Sequence, residues 1–276
     1  MICSNLTKLI IYQITVTMKK TALLFLAMCA SVAVRAQEMK WNQSIFDSWV
    51  QLRVGDGKTN AIWWCQGEVY SYPSGKLVAR MEGIDHGKVV RVSKDSVIQL
   101  NRKTFTYHDI NTNEIITEGF GQKLEPIAYP YQKITYLLKN GKLRTYVEQG
   151  AGAKITKMGP GESISVRQLG GNYIFTAPVF LDFTSPRGKY EAYENYDFFF
   201  SPTMKTTKEK YQLTWERYGD LPAAVGGGKG IIHLVSYRVD KIEDLPSAVF
   251  KKYLNEKAQM WLAPPMDLAE ISSLQK

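Results

Sequence analysis

From Ala61 to Val239 the chain alternates short runs of Val, Ile, Thr, Tyr and Phe with turn residues. The spacing, roughly 8 to 12 residues, is that of a β-barrel or sandwich. The individual runs are unusual because neither face is polar. In "AIWWCQGEVYSYPSG" (Ala61 to Gly75), one side of a strand would carry Ile62, Trp64, Gln66, Glu68 and Tyr70. The other would carry Ala61, Trp63, Cys65, Gly67 and Val69, since successive side chains point to opposite faces. "KYEAYENYDFFF" sets Tyr190, Ala192, Glu194, Tyr196, Phe198 and Phe200 on one side, and "YQLTWERY" sets Tyr211, Leu213, Trp215 and Arg217 together. A half-exposed antiparallel sheet would show one clean polar face instead.

Turn chemistry punctuates these runs. "KNGK" (Lys139 to Lys142) puts Asn-Gly between two strand patterns, a strong hairpin signal because both central residues need positive φ. "PSGK" at Pro73 and "NTNE" at Asn111 read the same way. Helix periodicity is confined to the ends. "NQSIFDSWVQLRV" predicts a helix over about 43–54, capped by Asn42 or Ser44, with Ile45, Phe46, Trp49, Val50 and Leu52 on one stripe. "EDLPSAVFKKYLNEK" predicts a second over about 244–257, with Asp244 as cap, Pro246 in the first turn, and Val249, Phe250, Tyr253 and Leu254 on the stripe. No linker rich in Pro, Ser or charge interrupts residues 37–276, and no fixed period repeats. One domain is expected.

Strands that are apolar on both sides must be covered on both sides. With so little helix, the sheet is expected to cover itself by closing, as an antiparallel meander, into a calycin-like β-barrel with short helices at both ends. Such a barrel holds a small ligand, and aromatic walls with a few polar groups suit a hydrophobic or aromatic one. Carboxylates among aromatics lose hydration and become acids or seek cations. Glu68 and Glu194 are therefore the candidate acid/base residues, with Tyr70 and His233 assisting and Glu82 a weaker third. Trp64, Gln66, Tyr196, Trp215 and Arg217 are the candidate ligand contacts.

The start of the chain changes what is counted. "MKKTALLFLAMCASVAVRAQ" from Met18 has a Lys pair, an apolar run and Val34 and Ala36 at signal-peptidase spacing. Cleavage is expected after Ala36, exporting the mature chain to the periplasm or beyond, with Met1 to Thr17 lying upstream of the working start. The apolar run is too short to span a bilayer, no later run matches it, and Met28 before Cys29 argues against a lipid anchor. Formal charge then falls from +9 by the four charges of Lys8, Lys19, Lys20 and Arg35, to +5. Its cations are interspersed with acids, unlike a nucleic-acid stripe. Of three cysteines only Cys65 remains, so no internal disulfide is available and a core must hold the fold.

Other motifs dissolve on inspection. The three histidines, at 86, 108 and 233, show no metal spacing, and none of HExxH, CxxC or GxSxG occurs. His108 abuts a turn and is expected to be exposed; a core role for His233 competes with a catalytic one. "DINTNE" at Asp109 lacks the Gly and Glu of a calcium loop. "GGGKG" at Gly226 lacks the first Gly and the Ser or Thr of a phosphate loop and reads as a flexible loop or lid. Cys65 has no local base and reads as buried filler. No cofactor is implied.

"IWWCQGEVY", the following "EGI", "HDINTNEII", "YENYDFFFSP", "LTWERY" and the closing "DLPSAVFKKYL…LAPP" together resemble, in order, the bacterial and fungal domain-of-unknown-function family eighteen-thirty-eight. The resemblance covers nearly all of the chain after residue 36; the Gly-rich segment after Tyr218 departs from it. It implies a single domain and brings no reaction. Two functions stay open: binding with cofactor-free acid/base chemistry (isomerisation, elimination or hydrolysis), or carriage of a small molecule without chemistry. A cell-envelope interaction protein, its aromatics mere core, is the third.

Overall fold

Eleven residues from Ala61 to Ser71 do form the first long strand, β1, and its two faces meet different partners. The computed structural model describes residues 37–264 except 152, 153, 160, 162, 163, 186 and 187. The leader expected over 1–36, with its cleavage point and Cys29, lies outside the described residues. After helix α1 (Gln43–Val54) and β1 come β2 (Leu77–Ser93), β3 (Ser96–His108), β4 (Ile127–Lys139), β5 (Lys142–Ala151) and β6 (Lys154–Met158). β7 (Ser165–Leu169), β8 (Asn172–Ser185), β9 (Gly188–Phe200), β10 (Tyr211–Asp220), β11 (Lys229–Val239) and helix α2 (Ala248–Lys257) follow.

Apart from β6 and β7, sequence neighbours among these strands pair antiparallel, and β11 pairs with β1, giving the order β7-β8-β9-β10-β11-β1-β2-β3-β4-β5-β6, with the two-residue strand Gln37–Glu38 beside the outer edge of β7. The ring is interrupted between β6 and β7, which no ladder joins among the described residues. Chain length forces the curl. Laid flat, ten strand spacings would separate β6 from β7 by about 48 Å, whereas the chain from Met158 to Ser165 reaches about 25 Å at most. The sheet is thus a half-barrel, open along one seam.

Helix α1 plugs one end of it. Asn42 caps the first turn by accepting from the Ile45 amide at 3.0 Å. Trp49 lies edge-on to Tyr136 of β4 and Phe198 of β9, with centroids 5.5 and 5.0 Å away, and 5.3 Å from Phe175 of β8. One indole thereby ties together strands on both sides of the seam. The last carbonyls of a helix need outside donors. Arg238 of β11 donates to Gln51 at 2.7 Å and the Trp63 indole of β1 donates to the Arg53 carbonyl at 3.1 Å. Those bonds fix where the final turn, and Arg53, must point.

The other helix covers the outside. Ile62 and Trp64 of β1 and Ile84 of β2 pack beneath Phe250, Leu254 and Trp261. Here the sequence expectation needs correcting: the sheet does not cover itself alone, because α2 shields the outer face of β1 for its first half. The cap of α2 is Ser247, which accepts from the Phe250 amide at 3.2 Å; Asp244 belongs to a separate 3-10 turn. Lys139 to Lys142 is the expected hairpin, with φ of 54° at Asn140 and 68° at Gly141.

Two loops differ from expectation. His108 is fully buried, since the chain after it folds back, Ile115 bridges to it and the Asn113 carbonyl sits 3.0 Å from its Nδ1. The Gly-rich segment is no open lid: Ala224 and Val225 are buried against Val69, Ala79 and Ile232. Positive φ at Gly226, Gly227 and Gly228 makes the tight return that holds them there.

Candidate functional site

Inside the half-barrel lies a cavity of about 260 Å³, lined from β1 to β5 and from β8 to β11 and roofed by Trp49 and Arg53 of α1. An engineered cavity of about 150 Å³ holds benzene, so this one suits a molecule of one or two rings. Tyr129, Val179, Leu181 and Arg217 line it away from α1, and Tyr129 is 37% exposed, which sets the mouth at that end.

Most of the polar groups in this apolar space fall into two clusters. Arg53 reaches down from α1 to Asp85 of β2 at 2.7 Å, with both side chains buried. Asn101 of β3 donates to the other Asp85 oxygen at 2.8 Å and to Gln132 of β4 at 3.1 Å. Burial alone would raise the Asp85 pKa, but Arg53, Lys103 and these hydrogen bonds outweigh it and hold the carboxyl below its usual range. Across the cavity, Glu194 of β9 accepts from the Tyr196 hydroxyl at 2.6 Å and the Trp215 indole at 3.4 Å, and Arg217 lies 3.7 Å from its other oxygen. Burial first, and then Glu194, push the Tyr196 phenol well above its ordinary value, so it keeps its proton and remains a donor. Phe105 stacks beside Trp215 with centroids 6.1 Å apart, in room that Gly83 leaves: a Cβ there would lie 2.0 Å from the Phe105 ring.

The cavity therefore brings together four residues expected from the sequence, Glu194, Tyr196, Trp215 and Arg217. It leaves out the others. Trp64 lies outside under α2. Gln66, Glu68 and His233 line a separate groove on the outer surface with Arg80, Glu82 and Asn113. Tyr70 stands by them, its hydroxyl donating to Glu68. Placing Glu68, Tyr70, His233, Trp64 and Gln66 in the interior is corrected by one residue of phase. Trp63 and Cys65 are the β1 residues that face inward.

Residues the pattern did not single out are Arg53, Asp85 and Lys103. Arg53 sits among helix-stripe residues, and Asp85 and Lys103 lie beside Ile84 and Arg102, whose side chains take the opposite face. A usable signal existed in "MEGIDHG", where Gly83 and Gly87 flank Asp85 on one face and make room around it.

No family model matches the chain, and no curated protein does either. Among the described residues, no three His, Cys, Asp or Glu side chains gather as a metal ion would need, and no helix is long and apolar enough to cross a membrane.

Cys65 gives a direct check on the interior. Burial pushes its thiol up to about 12 from 9.0, with the neighbouring Ser236 opposing the rise. Because the thiolate is the nucleophile, that shift lowers the reactive fraction at pH 8 by roughly a thousandfold. Iodoacetamide labelling of the Cys65 peptide, followed by mass spectrometry, should be slower by about that factor in the native protein than in denaturant. A native rate within tenfold of the unfolded one would place Cys65 outside the cavity wall.

Proposed function

We propose that this is an exported protein that binds a small hydrophobic or aromatic molecule inside its half-barrel, which closes as a calycin-like barrel. The observation that carries the reading is the cavity of about 260 Å³ walled by Trp49, Trp63, Phe105, Tyr196 and Trp215, with most of its polar groups gathered in two clusters. Mostly apolar walls with a few convergent polar groups are the general character of small-molecule sites. The resemblance to the uncharacterised family and the leader-like start are compatible with this proposal and contribute no chemistry to it.

Binding without chemistry is the better reading of Glu194. Tyr196 and Trp215 both donate to its Oε2, and Arg217 lies 3.7 Å from its Oε1, so a substrate reaching Oε1 must compete with a cation already beside it. A general base needs a free oxygen within hydrogen-bond reach of the substrate. The acid/base alternative keeps a foothold in Tyr196, a protonated donor in the same wall.

The test is a panel of one- and two-ring compounds titrated against intrinsic fluorescence, since Trp49, Trp63 and Trp215 all face the cavity. Saturable quenching with recovery of the compound unchanged is expected, and Glu194→Gln should keep its affinity within a few-fold. Conversion of a bound compound, reduced about a hundredfold or more in Glu194→Gln, would instead establish the catalytic reading. No response across the panel would leave the envelope-interaction alternative.

A further inference from the structure

The two ionic clusters do not balance. The cavity is lined by three cations, Arg53, Lys103 and Arg217, and by two anions, Asp85 and Glu194. Arg53 is committed to Asp85, and Arg217 lies against Glu194. Lys103 of β3 is left over. Among the described residues its ammonium forms no hydrogen bond and no ion pair, and its nearest specific partner is the Tyr129 ring, 6.0 Å away at the mouth.

A charge placed in an apolar cavity without a counter-ion is an expensive arrangement, and buried charges are ordinarily paired. Burial accordingly lowers the proton affinity of Lys103, with Arg53 adding to the effect and Asp85 and Glu194 opposing it. Neither carboxylate offers it a full partner: Asp85 already accepts from Arg53 and Asn101, and Glu194 from Tyr196 and Trp215. What completes the site electrostatically is a single negative charge delivered by the ligand.

We propose that the natural ligand is a monoanion, an aromatic or short aliphatic carboxylate, whose acid group is held by Lys103 while its apolar body lies between Phe105, Trp215 and Trp63. This rests on the small-molecule reading above. It goes beyond that reading in fixing the charge of the ligand, the residue that recognises it and the orientation, with the acid near β3. The cavity volume supports the match, since about 260 Å³ leaves room for one or two rings beside a carboxylate but not for a long acyl chain.

The experiment uses matched acid and amide pairs: phenylpropanoic acid, naphthylacetic acid and octanoic acid, each against its primary amide, titrated by calorimetry at pH 7. A hydrogen bond to a charged group predicts that at least one acid binds about tenfold or more tighter than its amide. In Lys103→Met that preference should vanish while the amide affinity stays within a few-fold of wild type. Lys103→Gln serves in its place if the Met variant does not give a wild-type circular dichroism spectrum. If acids and amides bind equally, the charge assignment falls and the small-molecule reading survives. If the acid preference persists in both variants, Lys103 is not the recognition group and the inference is overturned. If none of the six compounds binds, the small-molecule reading itself fails.

Discussion

Replacing Asp85 with Ala should lower the unfolding free energy by about 3–5 kcal/mol at pH 7. The size follows from what the substitution leaves behind. Arg53 is 6% exposed, its guanidinium is held between α1 and the cavity, and among the described residues no other carboxylate pairs with it. Removing Asp85 strands a buried cation and also frees the Asn101 amide from its 2.8 Å bond. Removing both members of a buried pair is commonly far milder than removing one. The double variant Arg53→Met with Asp85→Leu should therefore recover most of the loss, a coupling of several kcal/mol in a double-mutant cycle.

The same carboxylate gives the pH dependence its sign. Its folded pKa is depressed, so the stability it contributes is fully present above its unfolded value of about 3.9 and is lost as pH falls through the folded value. The gap between wild type and Asp85→Ala should thus hold from neutrality down to about pH 4 and narrow below it. Urea unfolding at pH 7, 4 and 3 measures both features. A single-variant loss under 1 kcal/mol, or a gap that widens in acid, would mean that the Arg53–Asp85 contact does not form in solution.

How far these residues were legible differs from strand to strand for a physical reason. Alternation divides a strand into two faces, yet it does not say which is inside; a one-residue slip exchanges them completely. β9 and β10 resolve the choice because their opposite faces carry exposed residues such as Glu191, Gln212 and Glu216, so Glu194, Tyr196, Trp215 and Arg217 fall on the interior side. β1 does not. Ile62 to Cys65 is apolar throughout because the cavity covers one side and α2 the other, and a helix nearly 190 residues away leaves no mark on the local pattern. Glu68 then joined the wrong face by its phase with Trp64. Asp85 and Arg53 were opaque for a related reason: they meet across 32 residues, and neither has a partner at a spacing that periodicity could detect. Helix α1 and the Asn140–Gly141 hairpin were readable because caps and turns act over three or four residues.

Trp49→Ala is the second large effect, again about 3–5 kcal/mol, as expected for removing a fully buried Trp from a packed core. Trp49 is 1% exposed and meets Trp41, Tyr136, Phe175 and Phe198. The loss should not be uniform across the sheet. β1 to β4 are ladder-paired along both edges with long strands, whereas β7 pairs with β8 on one side and, on the seam side, meets among the described residues only the short segment before α1, whose Met39 amide donates to the Val166 carbonyl at 2.9 Å. Beyond its ladder, that flank is held by the rings packed between β8, β9 and α1, among them the Trp41 contact to Phe175 at 5.6 Å, and by the Trp41 indole bond to the Ile164 carbonyl at 2.7 Å. Without the Trp49 ring, the flank loses a wall of that cluster, and local opening becomes easier there than in the doubly paired strands. Native-state hydrogen exchange should show the amides of β7 and the first half of β8 accelerated in Trp49→Ala well beyond the change at β1 and β2. Equal acceleration everywhere would mean that the seam is no weaker than the rest of the ring, and that a ladder between β6 and β7 closes it in solution.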